Sequence, residues 1–498
     1  MKNYKILVIS ILLVASGCRK KENSGVEAIT SPGMGNNPSF DVIVTNHRPL
    51  LSVFNSKGGI GKRTYSMQLD TSDQFNSKDL IAYTNIPEET AYVTGYRVQE
   101  GNELKDGVRY YWRAKATDEA GNSSGWGQTR FYVDTESDKH FMNLVRVPVK
   151  DVSVSSGFNE KNNIDLDDPG QLSFWQSTPP GSSTQWVEFG FDKPTTLTRL
   201  WMLSNPASKD NRLIDFVWQM SEDKKNWKDI PDTRINNNDT FRNILNFPPV
   251  KTQYLRLMIN RWEGYAAQIN AVTFYSPGMP PLPELPNRDY VLVVGNQENG
   301  YTFTELQKFI QGLNIGLDAV VVPHYEVSLD MVNKLSRKPV AIVLSGNNAN
   351  YPNLAMFEYN GEFELIRHSD IPLCGICCGH QMIACASGYT FIRSMGWDDI
   401  TMLKPLRNIK PYVNIVKESP LFKDIPNPFT AIEVHGWAVA IMPDNFELLA
   451  ESSYNQAMRS TKKLHIGEQF HAEIKVPYNE ATPYLVNFLN MAKEAYKK

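Results

Sequence analysis

Cysteine is scarce, at five among 498 residues. Four of the five crowd into "IPLCGICCGHQMIACASG" (371–388), and the fifth is Cys18. Disulfides therefore do not staple the rest of the chain. No charge sign dominates: 51 Lys and Arg stand against 54 Asp and Glu, for a net charge of -3. That balance leaves no electrostatic footprint for nucleic acid. Long apolar runs are missing too. The run "ILVISILLV" (6–14) is about half of what a membrane-spanning helix needs. What remains is ordinary globular composition, 41% hydrophobic and 21% charged, long enough for about three domains. Thirty prolines, ten tryptophans and twenty-two tyrosines suggest much loop-rich β structure.

The start has the grammar of an export signal. Met1, Lys2 and Lys5 form a basic head, the apolar run follows, and "ASGC" ends at Cys18. The pattern resembles a bacterial lipoprotein signal, with a plain secretory signal as the alternative. The resemblance implies that residues 1–17 are removed and that Cys18 carries the lipid anchor. Residues 18–35 are then a polar, flexible tether. Arg19, rather than Asp, after the anchor implies the cell envelope, at the outer membrane.

Two β regions follow. Residues 36–136 contain "RYYWRAKATD", a turn, Trp126 and a closing "FYVD". They resemble a fibronectin type III domain, a β-sandwich that usually acts as a spacer. "KGGIGKRT" (57–64) imitates a phosphate-binding loop. Arg63 stands where such a loop needs Ser or Thr, and "YSMQLD" alternates like a strand, so a glycine-rich turn is expected. Residues 140–276 carry "WQS", "WVEFGF", the turn "SEDKKNW" and "YLRLMI". They resemble a discoidin, or F5/8 type C, domain, a sandwich whose loops often bind glycans. Trp218 and Trp227 fall where the fold places core or hairpin tryptophans. Trp262 and Tyr265, in "NRWEGYAA", are the candidate glycan-binding pair. Residues 277–288 are proline-rich and stiff, and should hold the last domain at a fixed distance.

The composition changes at residue 289. "YVLVVG", "LDAVVVP", "PVAIVLSG" and "IPLCGIC" are apolar throughout, as strands of a parallel sheet covered on both faces are. Residues 289–498 are therefore α/β. Cys377 follows the last of these strands within Gly-x-Cys-x-Gly and precedes the helical "HQMIACA". That is the layout of a nucleophile elbow, whose small neighbours let strand and helix close on each other. A following helix N-terminus favours a thiolate. Cys374 and Cys377 also have the gap of a zinc pair, but no second pair matches it, so no metal is expected. A disulfide within the cluster is the other alternative. Cys374 and Cys385 read as core thiols. A cysteine nucleophile needs a base, and His471 with Glu473, two residues apart, can share one side of a strand end.

Residues 289–498 thereby resemble the class I glutamine amidotransferase domain, through "GICCGHQMIA" (375–384), "GEQFHAE" (467–473) and "IVLSGNN" (342–348). The resemblance implies a flavodoxin-like fold with a central, mainly parallel sheet, and a catalytic set of Cys377, His471 and Glu473. It implies that Gly346 and backbone N–H groups of Asn347 and Cys378 form the oxyanion site, and that Gln381 shapes the substrate pocket. His435 and Trp437, in "EVHGWAVA", either line the pocket or pack beside it. The family's usual Gly-Gly-Pro loop is replaced by Gly346-Asn347-Asn348, and its proline between His and Glu by Ala472. The whole chain then reads as two β-sandwich domains before an α/β domain. The expected function is an exported, lipid-anchored cysteine amidohydrolase needing no cofactor. Its substrate would be a small amide, or a glycan- or cell-wall-derived one. The alternative is a glycan-binding surface lipoprotein, with polysaccharide as partner and no turnover.

Overall fold

The computed structural model describes residues 27–34, 42–44, 46–89, 93–133, 135, 144–166, 173–178, 184–204, 211–297, 301–347, 355–387, 391–393, 412–439, 442–443, 445–452 and 454–497. Cys18, most of the tether and Asn348 lie outside the described residues.

The first unit is a small β-sandwich. One sheet joins Gly33–Met34, Leu50–Phe54 and Val93–Arg97. The other joins Val42–Val44, Gly127–Val133, Val108–Asp118, Arg63–Asp70 and Ile81–Pro87. The alternation in Val108–Asp118 sends Tyr110, Trp112, Ala114 and Ala116 into one core with Tyr65, Met67 and Phe131. "KGGIGKRT" is a turn that runs directly into the strand Arg63–Asp70. Gly58, Gly59 and Gly61 all have positive φ there, which side chains resist.

The second unit is antiparallel. Its main sheet runs Lys228–Asp229, Leu213–Ser221, Arg242–Trp262, Gln185–Leu203, Ala271–Pro277 and Leu144–Val147, with Asp151–Val154 also pairing Gln185–Leu203. Trp175, Phe189, Trp218 and Phe274 fill its core, with Trp218 edge-on to Phe274 at 5.6 Å. In "SEDKKNW", Asp223 Oδ1 accepts the N–H groups of Lys225 and Asn226 at 2.9 and 2.8 Å. These bonds hold its carboxyl well below the usual range. Trp227 closes the hairpin beneath the Arg256 guanidinium, 4.1 Å from its ring centre. The first unit docks on this one through Asp239, whose carboxylate accepts from Arg109 at 2.6 Å and also faces Arg130.

The strand Ala271–Pro277 is buried on both faces. Val272 and Phe274 point into the sandwich core. Ala271 and Tyr275 point outward, beside Leu144, Trp201 and Leu203, and are covered by Ala355 and Phe357 of the third unit. The last domain therefore rests directly on this face, in addition to the tie through residues 277–288. The outer sheet face carries apolar side chains that water alone would not stabilise.

The third unit is built on a nine-stranded sheet. Asp318–Pro323, Tyr290–Gly295, Ala341–Leu344, Leu373–Ile376 and His465–Glu468 are parallel and adjacent in that order. Asn455–Ser460, Phe446–Glu451, Tyr412–Ile415 and Phe429–Thr430 extend it antiparallel. One face is covered by Tyr301–Gly312 and Thr482–Tyr496, which share a core cluster. The other is covered by Leu329–Lys334, Asn360–His368 and Cys378–Ala386. In such sheets sites form beyond the carboxyl ends of the strands, and the strands that end at Ile376 and Glu468 lie side by side.

Candidate active site

Cys377 leaves its strand with φ 50° and ψ -101°, a left-handed turn that costs a non-glycine residue about 1–3 kcal/mol. Its N–H donates to Glu468 O at 2.7 Å, so the turn is pinned to the neighbouring strand end. The helix Cys378–Ala386 begins at once. A Cβ on Gly375 would lie 2.4 Å from the backbone of Gly379, and one on Gly379 would lie 2.5 Å from Leu344 O. Both glycines are needed because strand, helix and neighbouring strand touch there through bare backbone.

His471 follows the adjacent strand. Its N–H donates to Ile432 O at 2.9 Å, and Asn479 Nδ2 donates to its carbonyl at 2.8 Å. The ring is buried, with Nδ1 2.8 Å from Glu473 Oε1. A carboxylate at that distance accepts a hydrogen bond from Nδ1–H and fixes that tautomer, which leaves Nε2 for chemistry. Nε2 is buried with no hydrogen-bond partner of its own. Burial alone would disfavour the imidazolium, but the Glu473 carboxylate and then the Cys377 sulfur outweigh it. The His471 pKa is raised well above its ordinary value.

Gly346 lies between the two groups. A methyl on its Cα would stand 3.2 Å from His471 Cε1 and 3.5 Å from Cys377 Cβ. Cysteine, histidine and the Gly346 loop therefore border one small space. The Cys377 thiol donates weakly to Val434 O at 3.7 Å. Asn347 turns its side chain away, with Nδ2 donating to Asn296 O at 2.6 Å and to Tyr359 Oη at 3.1 Å.

The remaining expected residues divide. Gln381 is buried, and its Nε2 donates to Trp437 O at 2.5 Å and Gln469 Oε1 at 3.0 Å. It ties the nucleophile helix to the 433–437 segment. His435 Nδ1 lies 3.0 Å from the same Trp437 carbonyl, and Nε2 lies 3.3 Å from Glu433 Oε2. His435 and Trp437 thus belong to the wall beside Cys377. Cys378 is buried among core side chains, and burial pushes the Cys374 and Cys385 thiols up. Trp262 and Tyr265 sit apart, on the second sandwich. Trp262 packs partly on the sandwich core, whereas Tyr265 is 71% exposed.

Sequence reading missed four contributors. Val434 matters only through its carbonyl. Asn296 and Tyr359 reach Asn347 from distant segments. Glu468 is fully buried with neither carboxylate oxygen partnered, and burial followed by the Glu473 charge pushes its pKa well above the carboxylate range. It lies on the strand end that pins Cys377, through its carbonyl. Its only cue was its place two residues before Phe470 in "GEQFHAE".

Two stretches of the chain match known families. Residues 298–491 match Glutamine amidotransferase class-I, and residues 148–272 match the F5/8 type C domain. The glutamine-hydrolyzing GMP synthase subunit of Methanobrevibacter smithii is 29% identical over 186 residues, 37% of this chain and 86% of the relative. Its counterpart in Methanocaldococcus jannaschii is 30% identical over 162 residues, 32% of this chain and 77% of the relative. Among solved structures, the family 32 carbohydrate-binding module of Clostridium perfringens NanJ, in complex with galactose, is 12% identical. It covers 27% of this chain and 99% of its own, with a TM-score of 0.23. Through its C-terminal domain, the chain belongs to the class-I glutamine amidotransferase family.

Proposed function

We propose that the C-terminal domain is a cysteine-dependent amide hydrolase. The observation that carries this reading is the shared space bordered by Cys377, Gly346 and His471, with Glu473 behind the imidazole. His471 Nε2 takes the thiol proton as sulfur attacks the carboxamide carbon. Backbone N–H groups of Asn347 and Cys378 hold the oxyanion. The C–N bond breaks as His471 returns the proton to the leaving amine. Water then attacks the thioester, giving a carboxylate and the free thiol. The relatives hydrolyse glutamine by name, so glutamine and γ-glutamyl amides are the first substrates to try. An amide on a glycan or cell-wall fragment follows from the reading of the chain as exported. In that reading Cys18 carries a lipid at the outer membrane, and the first sandwich is a fibronectin type III-like spacer.

The test is mass spectrometry after exposure to a diazo-ketone glutamine analogue. Labelling at Cys377, and its loss in Cys377→Ser, supports the hydrolase. A folded protein that reacts with iodoacetamide but never with the analogue supports the second reading, a glycan-binding lipoprotein without turnover. That reading draws on the F5/8 type C match and the exposed Tyr265.

A further inference from the structure

The junction between the second sandwich and the α/β domain is not a plain apolar contact. Arg146 and Tyr275 are cross-strand partners on the outer sheet face. Both converge on Glu358, which precedes the helix Asn360–His368. Arg146 Nε and Nη2 donate to the two Glu358 oxygens at 2.6 and 2.5 Å, and Tyr275 Oη donates to Oε1 at 2.5 Å. The carboxylate and guanidinium side chains are 2% and 11% exposed. Burial would raise the Glu358 pKa, yet Arg146 and then His324 hold it down at about 2. A buried bidentate pair of this kind fixes geometry.

The next residue carries that geometry to the site. The Tyr359 ring stacks on His324 at 4.1 Å, and His324 Nδ1 lies 3.2 Å from Gly295 O. Tyr359 Oη meets both Asn296 O, at 3.3 Å, and Asn347 Nδ2. Asn347 is the residue after Gly346. A path of polar contacts, joined by the Glu358–Tyr359 peptide link and braced by the ring stack on His324, thus runs from the sandwich to the loop that faces Cys377 and His471.

We infer that the second sandwich positions the oxyanion loop, with Arg146, Tyr275, Glu358 and Tyr359 as positioning residues that act through Asn347. The loop lacks the rigid Gly-Gly-Pro form, and the junction supplies the missing restraint from outside the domain. The assignment of Asn347 to the oxyanion rests on the hydrolase reading; the mechanical restraint does not.

The experiment uses the full chain, with Arg146→Met and Tyr359→Phe. Hydrogen–deuterium exchange is followed at 345–347 and at 355–359. The rate of Cys377 labelling by the diazo-ketone is divided by the rate with iodoacetamide. Both variants should speed exchange at 345–347. Their labelling ratio should fall about tenfold to a hundredfold, as misplacement of an oxyanion donor does. A junction that only glues domains would loosen 355–359 in Arg146→Met and leave 345–347 and the ratio unchanged. That result overturns the inference. If Arg146→Met does not fold, Tyr359→Phe decides alone, since it keeps the ring and removes only the hydroxyl. If the original chain never reacts with the diazo-ketone, the hydrolase reading fails, and the exchange at 345–347 still judges the restraint.

Discussion

Glu473, half-buried, and Glu358, fully buried, are carboxylates that face a basic side chain in the same molecule. Glu473 meets His471 at 2.8 Å across two residues of sequence. Glu358 meets Arg146 at 2.6 Å across 212. The first pair is local and lies at a strand end, where its partner nitrogen must remain available. The second joins two domains and commits both Glu358 oxygens. One pair leaves a ring nitrogen of its base uncommitted, and the other ties up both carboxylate oxygens. That difference can be broken experimentally at either end.

The largest effects belong to the local pair. Cys377→Ser and His471→Ala should each lower amide hydrolysis by about a thousandfold or more, and the double variant should be no worse, because the residues act as one unit. Glu473→Gln should cost less than His471→Ala, since a hydrogen bond to the imidazole survives. Amine release across a panel of glutamine and γ-glutamyl amides, with folding checked by circular dichroism, measures all four. Additive losses would contradict the unit.

The distant pair should speak through stability. Arg146→Ala strands a buried carboxylate and should cost about 3–5 kcal/mol. The joint replacement of Arg146 by Met and Glu358 by Leu should recover most of that loss, because both charges leave together. Urea midpoints of the three proteins give the comparison. A joint variant as weak as Arg146→Ala would mean that the pair itself, and not the stranded charge, carries the energy.

The two pairs should also answer pH in opposite senses. Glu358 has a folded value of about 2 against an ordinary 4.5. Its stabilisation is present above pH 4.5 and is lost as pH falls towards 2. His471 is raised above its ordinary 6.5. Its stabilisation is full below 6.5 and is lost as pH rises through the raised value. Urea midpoints between pH 2 and 9 should therefore fall at both ends. Arg146→Met should make the acid limb shallower, since other carboxylates such as Asp223 keep part of it, and His471→Ala should flatten the alkaline one.

The smallest effect sharpens the cysteine assignment. Cys378 is buried in the core and is asked only for its backbone. Cys378→Ser should cost about 1–2 kcal/mol, from a more polar group placed among core side chains, while turnover stays close to the original. Loss of turnover in a folded Cys378→Ser protein would move the nucleophile.

Much of the candidate site was legible because its cues are short-range. Gly375 and Gly379 flank Cys377 in sequence, and the same glycines touch backbone in space. The parallel strands announced themselves as unbroken apolar runs, since both sheet faces are covered. The Gly346 loop was legible in place, but not in support: nothing near Asn347 in sequence points to Asn296 or Tyr359. The junction was illegible for a related reason. Arg146 lies in "LVRVPV", where an arginine on an edge strand reads as solvent-facing. Only the register with Tyr275 and the arrival of Glu358 bury it. The doubly buried "AVTFY" did hold a cue, because a one-sided sandwich strand should alternate.

The Arg146–Glu358 lock also bears on descent. Sandwich modules spread through genomes by recombination at their ends, which succeeds when each neighbour tolerates any other. Here an exchanged sandwich without a cation at position 146 would leave its new neighbour with a bare internal anion. The α/β domain moved alone would carry Phe357 and Ala355 into water beside that anion. The lock predicts that the two modules are inherited as one piece, with changes at positions 146, 275 and 358 found together; an alignment of chains sharing both modules checks it.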